Sequence, residues 1–283
     1  MKYSLLAVAL LSICVGQQAA AQTPKQQALG QEIMREGLAL YESERASWVA
    51  SDLLLARKPD MSTLGGYFSY ADGDSLRTVF VGRNTTPGPL TVAYSFSFPR
   101  LAIEPATARQ QGPRKASARE QKLYAMREAV EEELESGRVA HAPYQFPENT
   151  RPNIILLDQG PSTRAYVLVG PQEGGVLPIG NDFLLRFTAA GTLQKVERLH
   201  NSYLAMRLPE GSQTIRAGMH SHLPAHPYIT PTDICSLLLY KDSFPAPQHI
   251  VMGREYVSVF DLEKQQLTFL TQKEFDKMYR SGK

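Results

Sequence analysis

The sequence predicts an α/β chain of the α+β kind, with a central mixed β-sheet flanked by helices, and three observations carry that prediction. Apolar residues recur at helical spacing from Gly30 to Leu55 and again from Ser117 to Gly137. From Asn153 onward the chain is almost entirely short apolar or alternating runs divided by turn residues, which is the pattern of strands. A length of 283 residues with 43% hydrophobic and 20% charged content suits one large or two small globular domains.

The net charge of +2 comes from 30 basic and 28 acidic residues spread along the chain. That balance offers no electrostatic footprint for a nucleic-acid backbone or an anionic membrane, so neither is expected as a partner. At the start, Lys2 precedes an apolar run from Leu5 to Val15, and Ala19-Ala20-Ala21 supplies the small residues a signal peptidase requires. The run is too short to span a bilayer, so residues 1–21 are expected to be a signal peptide cut after Ala21. The mature protein is then exported from a bacterial cell, periplasmic or secreted. Cys14 is preceded by Ile13 rather than by Gly, Ala or Ser, which disfavours lipid anchoring. Without that peptide Cys235 is the only cysteine, and its apolar neighbours Ile234 to Leu239 predict a small core residue.

Residues 22–30 read as a polar lead-in, and the first amphipathic segment follows, with Trp48 expected in the core. Gly65 to Phe98 changes to a period of two, with the turn Ala71-Asp72-Gly73-Asp74 marking a hairpin and Leu90 to Phe98 a further strand. Residues 99–116 look like a surface connection. The second helix has Ser117 and Glu120 at capping-box spacing, a stripe of Leu123, Met126, Val130 and Leu134, and Gly137 as its stop. Its run Glu131-Glu132-Glu133 is expected on a solvated face. Strands are expected at 154–157, 165–169, 176–179, 183–187, 196–199, 204–208, 214–219, 249–252, 256–260 and 267–270, with a short helix over 231–240 and a closing one over 272–280.

Chemistry is expected between Gly218 and Cys235. His220 and His222 are separated by one residue at a strand end, so the period of two puts both imidazoles on one face. Thr230 before Pro231 and Asp233 reads as a helix start, with Thr230 at the cap and Asp233 in the first turn. Two histidines and a carboxylate with a fourth position free are the donor set of a catalytic zinc. The Thr230 and Asp233 pair is equally a capping arrangement that needs no metal. His226 reads as a loop residue or a contact near the site, and His200 as a strand-end residue able to face the same cleft. His249 and His141 carry no such signal.

The pattern His220-x-His222, seven residues, Thr230, two residues, Asp233 resembles the JAMM signature of the MPN metalloprotease family. The resemblance is sharp over residues 218–240 and extends at most over 117–270. It implies a cytidine-deaminase-like, JAMM-like domain over 117–283, preceded by an N-terminal α+β extension over 22–116. It also implies one Zn2+ held by His220, His222 and Asp233, with the Thr230 hydroxyl supporting the oxyanion and an upstream glutamate as general base. Glu173, before the run 176–180, is the candidate base, with Glu197 and Glu210 as weaker alternatives. Leu223 stands where the family usually has proline, and Pro224 follows. The implied activity is hydrolysis of an amide or isopeptide bond in a peptide or protein substrate. Two alternatives stay open: a catalytically inactive JAMM-like binding module, and a structural exported domain without metal.

Overall fold

Thr23 opens the first helix with a complete capping box: its hydroxyl accepts from the Gln26 amide while the Gln26 side chain takes the Thr23 amide. The resulting helix α1, Pro24–Leu55, is 32 residues long and buries positions along its whole length, from Gly30 to Leu54. The computed structural model describes residues 22–83, 88–159, 162–208 and 215–279. The expected signal peptide, its cleavage point at Ala21, and Glu210 lie outside those residues. Among the described residues no helix is long and apolar enough to cross a membrane.

The structure is mixed α and β, with its strands distributed over four sheets rather than gathered into one. The first is built from β1 (Leu64–Asp72), β2 (Ser75–Gly82) and β3 (Thr91–Pro99), all antiparallel. The expected surface connection contributes two short edge pieces to it, β4 (Arg109–Gln111) and β5 (Arg114–Lys115), both paired with β3. Helix α2, Ala118–Ser136, carries the predicted Ser117 and Glu120 capping box and ends at Gly137, whose φ of 61° is the left-handed conformation that glycine adopts freely.

One member of the acidic run departs from expectation. Glu133 is buried, because it accepts from the amides of Val139 and Ala140 and from the Tyr144 hydroxyl, and so ties the loop after α2 back onto the helix. A carboxylate aimed at otherwise unpaired amides gains more from those bonds than from water.

The second sheet runs in the order β10 (Leu193–Arg198), β9 (Phe183–Phe187), β7 (Ser162–Pro171), β6 (Thr150–Gln159). Two short strands, β8 (Leu177–Gly180) and β11 (Tyr203–Met206), pair separately. The last sheet is β12 (Gly218–Ser221), β13 (Gln248–Met252), β14 (Tyr256–Asp261) and β15 (Gln266–Thr271). Its β12 and β13 form the parallel pair, joined through helix α3, Pro231–Leu239. A parallel pair needs such a crossover, and this one places the helix start beside the strand end. Helix α4, Gln272–Tyr279, follows β15.

The cores do not respect position 116. Phe68 and Val79 of the first sheet, Leu123 of α2, and Leu156 and Phe183 of the second sheet belong to one buried cluster. Helix α1 lies across the others: Leu40 packs with Tyr166 and Cys235, Ile33 with Ile234 and Phe269, and Val49 with Phe96. Trp48 meets Tyr240 edge to face, with ring centroids 5.2 Å apart. Cys235 is fully buried, and burial pushes its thiol well above the usual range, which fits the small core residue expected.

Candidate metal centre

Strand β12 aligns with β13 so that His220 stands opposite Val251, and the His222 amide extends the ladder by donating to the Met252 carbonyl at 2.9 Å. Side chains alternate, so Met219 is exposed while His220 and His222 turn inward together, as their spacing predicts. The chain then loops to Thr230, which caps α3. Its amide and hydroxyl both donate to Asp233 Oδ2, at 2.8 Å each, and the Asp233 amide donates back to Thr230 Oγ1. The capping box leaves the other carboxylate oxygen, Oδ1, buried and without a hydrogen-bond partner.

The carboxylate faces three imidazoles. His200 Nε2 is 3.4 Å and His220 Nε2 3.5 Å from Asp233 Oδ1, and His222 Nε2 is 3.4 Å from Oδ2. His222 Nε2 lies 2.7 Å from His200 Nε2 and 2.9 Å from His220 Nε2. One donor atom from each of His200, His220, His222 and Asp233 falls within 4.8 Å of all the others. His200 arrives from elsewhere in the fold, on the connection between β10 and β11, which adds to the three motif residues the strand-end histidine that the sequence places near the cleft.

Each ring is held by its far nitrogen. His222 Nδ1 faces the carbonyl oxygens of Tyr228 at 2.8 Å and His226 at 3.0 Å, so it must carry its proton. His200 Nδ1 faces Asp182 Oδ1 at 2.6 Å and donates likewise. His220 Nδ1 lies 2.8 Å from Nε2 of the fully buried His249. With the Nδ1 protons placed there, the Nε2 lone pairs all point into the same small space. Protons alone do not resolve this: His222 Nε2 has one lone pair and two neighbours, and Asp233 Oδ1 stays orphaned. A metal ion held between them could meet all four donors at once.

Burial pulls His200 down, but Asp233 and Asp182 outweigh it and raise it to about 9. Burial dominates at His220 and, with His222 and His200, lowers it to about 4 against the attraction of Asp233. His249 is lowered to about 3 by burial and by His220. Burial would raise Asp233, yet His200, His220 and His222 hold it well below the usual carboxylate range. Asp233 is thus an anion beside His220 and His249, which burial keeps neutral, whereas His200 holds a proton that it must release for its Nε2 to bind a metal. Tetrahedral bonds of about 2.0 to 2.1 Å set donor atoms roughly 3.3 Å apart, and the separations here bracket that figure.

The other expected residues lie elsewhere or play other parts. Glu173 is half exposed in the turn before β8 and pairs with Arg207. Glu197 on β10 pairs with Arg186 at 2.8 Å and Lys195 at 3.0 Å. Thr230 is buried and directs the Asp233 carboxylate. His226 braces the loop, its Nε2 donating to the Arg198 carbonyl at 3.1 Å. His249, which gives no signal in the sequence, is corrected here to a partner of His220. Its cue was available: a histidine alternating into an apolar strand must find a buried partner. Asp182 had no cue, since Asn181-Asp182 reads as a bend.

The group His200, His220, His222 and Asp233 could therefore hold a metal ion, with Asp182, His249 and two loop carbonyls orienting the rings. Compared with known proteins, the chain matches no family model, no curated protein and no solved structure.

Proposed function

We propose that this is an exported JAMM-like zinc protein that hydrolyses an amide or isopeptide bond in a peptide substrate. The observation that supports the metal is the convergence of the Nε2 atoms of His200, His220 and His222 on the Asp233 carboxylate, whose Oδ1 is orphaned. Three nitrogens and one oxygen form a donor set well suited to zinc. The reaction class rests on the order of the motif, strand with His220 and His222, loop, Thr230 and Asp233 at a helix start, and a parallel strand after the helix.

In this reading a bound zinc supplies Lewis-acid polarisation of a carbonyl and activation of water. The protein's own groups prepare that chemistry. His220 and His222 present neutral Nε2 atoms because their Nδ1 atoms are already engaged. Thr230 fixes the Asp233 carboxylate through Oδ2, which leaves Oδ1 free for the centre. Beside them runs a cleft of about 300 Å³, whose walls include Glu36, Tyr166, Leu199, Tyr228 and Thr230, of a size that takes a side chain of an extended peptide.

A second reading, the catalytically inactive JAMM-like module, is favoured by a specific observation. Four protein groups fill a tetrahedral shell, as in structural sites, whereas catalytic zinc keeps one position open. One experiment separates the readings. The mature protein is purified, its metal content measured, and its turnover of peptide and isopeptide substrates followed with and without chelator. One zinc per chain with chelator-sensitive turnover supports the hydrolase. One zinc without turnover supports the inactive module. Absence of stoichiometric zinc, with melting unchanged by chelator, overturns both.

A further inference from the structure

The three motif ligands and His200 are held in different ways. His220, His222 and Asp233 belong to one continuous unit, β12, its loop and the start of α3, closed by ladder and capping bonds. His200 lies on the four-residue connection 199–202 between β10 and β11, outside regular structure. It is placed from below. Gly180 has φ +85°, and a Cβ there would stand 2.2 Å from the Ser202 carbonyl oxygen and 3.1 Å from His200 Cβ. Only glycine permits so close an approach. The same turn sends the Asn181 amide to the Ser202 carbonyl at 3.0 Å, and the Leu199 amide to the Asp182 carbonyl at 3.1 Å. The Asp182 carboxylate then takes His200 Nδ1.

We propose that His200 is a closing fourth ligand, standing where a catalytic zinc would keep its water, and that Asp182 is its positioning residue. This rests on the zinc reading above. Four protein donors leave a bound ion no vacancy for an external ligand, so the centre as folded is shut. Removing the His200 ring opens one position and leaves His220, His222 and Asp233, which share the unit of β12, its loop and the start of α3. The position lies next to the cleft: Leu199 and Thr230, which flank the centre, both line that wall. The external ligand is of the class that bonds a zinc vacancy, a small anion, water or a carbonyl oxygen.

The test uses full-length mature protein loaded with Co(II), whose visible absorption reports coordination, and azide as the probe. Wild type, His200→Ala and Asp182→Asn are titrated with azide after metal content and far-ultraviolet circular dichroism are recorded. The expected result is one Co(II) in all three, little spectral response to azide in wild type, and azide binding at least tenfold tighter in His200→Ala. Asp182→Asn, which keeps the ring but loosens its hold, should respond between the two. Equal response of wild type and His200→Ala overturns the proposal, as does a folded His200→Ala that no longer binds metal. If His200→Ala does not fold, absence of any azide response in Asp182→Asn overturns it. Failure of the wild type to bind metal is a different outcome: it defeats the zinc reading itself.

Discussion

Gly218 lies directly beneath His249: a Cβ at position 218 would stand 2.5 Å from His249 Nδ1 and 2.9 Å from its Cε1. The two residues pair across the parallel β12 and β13 ladder, and His249 in turn holds His220. A backbone position with no chemistry of its own thereby sets the angle of a candidate metal ligand. Gly218→Ala should push the His249 ring aside, weaken zinc about tenfold by loosening His220, and cost about 1 to 3 kcal/mol from overpacking. Chelator competition and thermal melting measure the two effects. Unchanged zinc affinity would separate His249 from the centre.

Removing a motif ligand has a larger effect. His222→Ala takes away the ring whose Nε2 lies closest to two others, and stoichiometric zinc should be lost. Because a metal that binds only the folded state contributes its binding energy to stability, chelator should lower the melting temperature of wild type but not of this variant. A variant that still carries one zinc would show that the ring is not a ligand.

Glu173 provides the contrast. Its carboxylate is half exposed and paired with Arg207. Glu173→Gln should leave zinc content unchanged and move stability by no more than about 0.5 kcal/mol, as exposed pairs do. Loss of zinc in this variant would bring the turn before β8 into the centre.

Far from the metal, Glu44 on α1 is fully buried, with Asn153 Nδ2 at 3.4 Å. Burial raises its carboxyl from 4.5 to about 7, against the opposing charge of Arg127. The folded state therefore holds a proton that the unfolded chain releases above its ordinary value. Its contribution is fully present below pH 4.5 and declines as pH rises, until it is gone above pH 7. The span corresponds to about 3 kcal/mol at most. Denaturant unfolding of Glu44→Gln at pH 5 and pH 8 should show the difference between the two pH values reduced by about 2 kcal/mol relative to wild type. An identical pH dependence in both proteins would mean that Glu44 keeps its ordinary value.

The parts of the fold legible in the sequence were those with local causes. Ser117 and Glu120, Gly137, and Thr230 and Asp233 form the caps and stops that their spacing predicts, and His220 and His222 share a face because strand geometry leaves no alternative. What escaped depended on distant partners. Glu133 looked solvated because nothing local shows that residues 139 and 140 return to it. The Asp182 to His200 bond depends on a close approach across Gly180, which only the folded chain reveals. The placing of strands into four sheets likewise follows from pairings that one strand's composition does not specify.

The packing of α1 has a consequence for the order in which the molecule assembles. Gly37 sits against Ile234 so closely that a Cβ would come within 2.6 Å of it, and Ile33 shares a cluster with Phe269. The partners of the N-terminal half of this helix are thus separated from it by some two hundred residues of intervening chain. Contacts of such separation carry a high loop-closure cost and form late. During synthesis that half of α1 must wait, uncovered, until α3 and β15 exist, whereas Val49 can already meet Phe96. Folding should therefore be slow, and the chain most prone to aggregation in the interval before that helix docks.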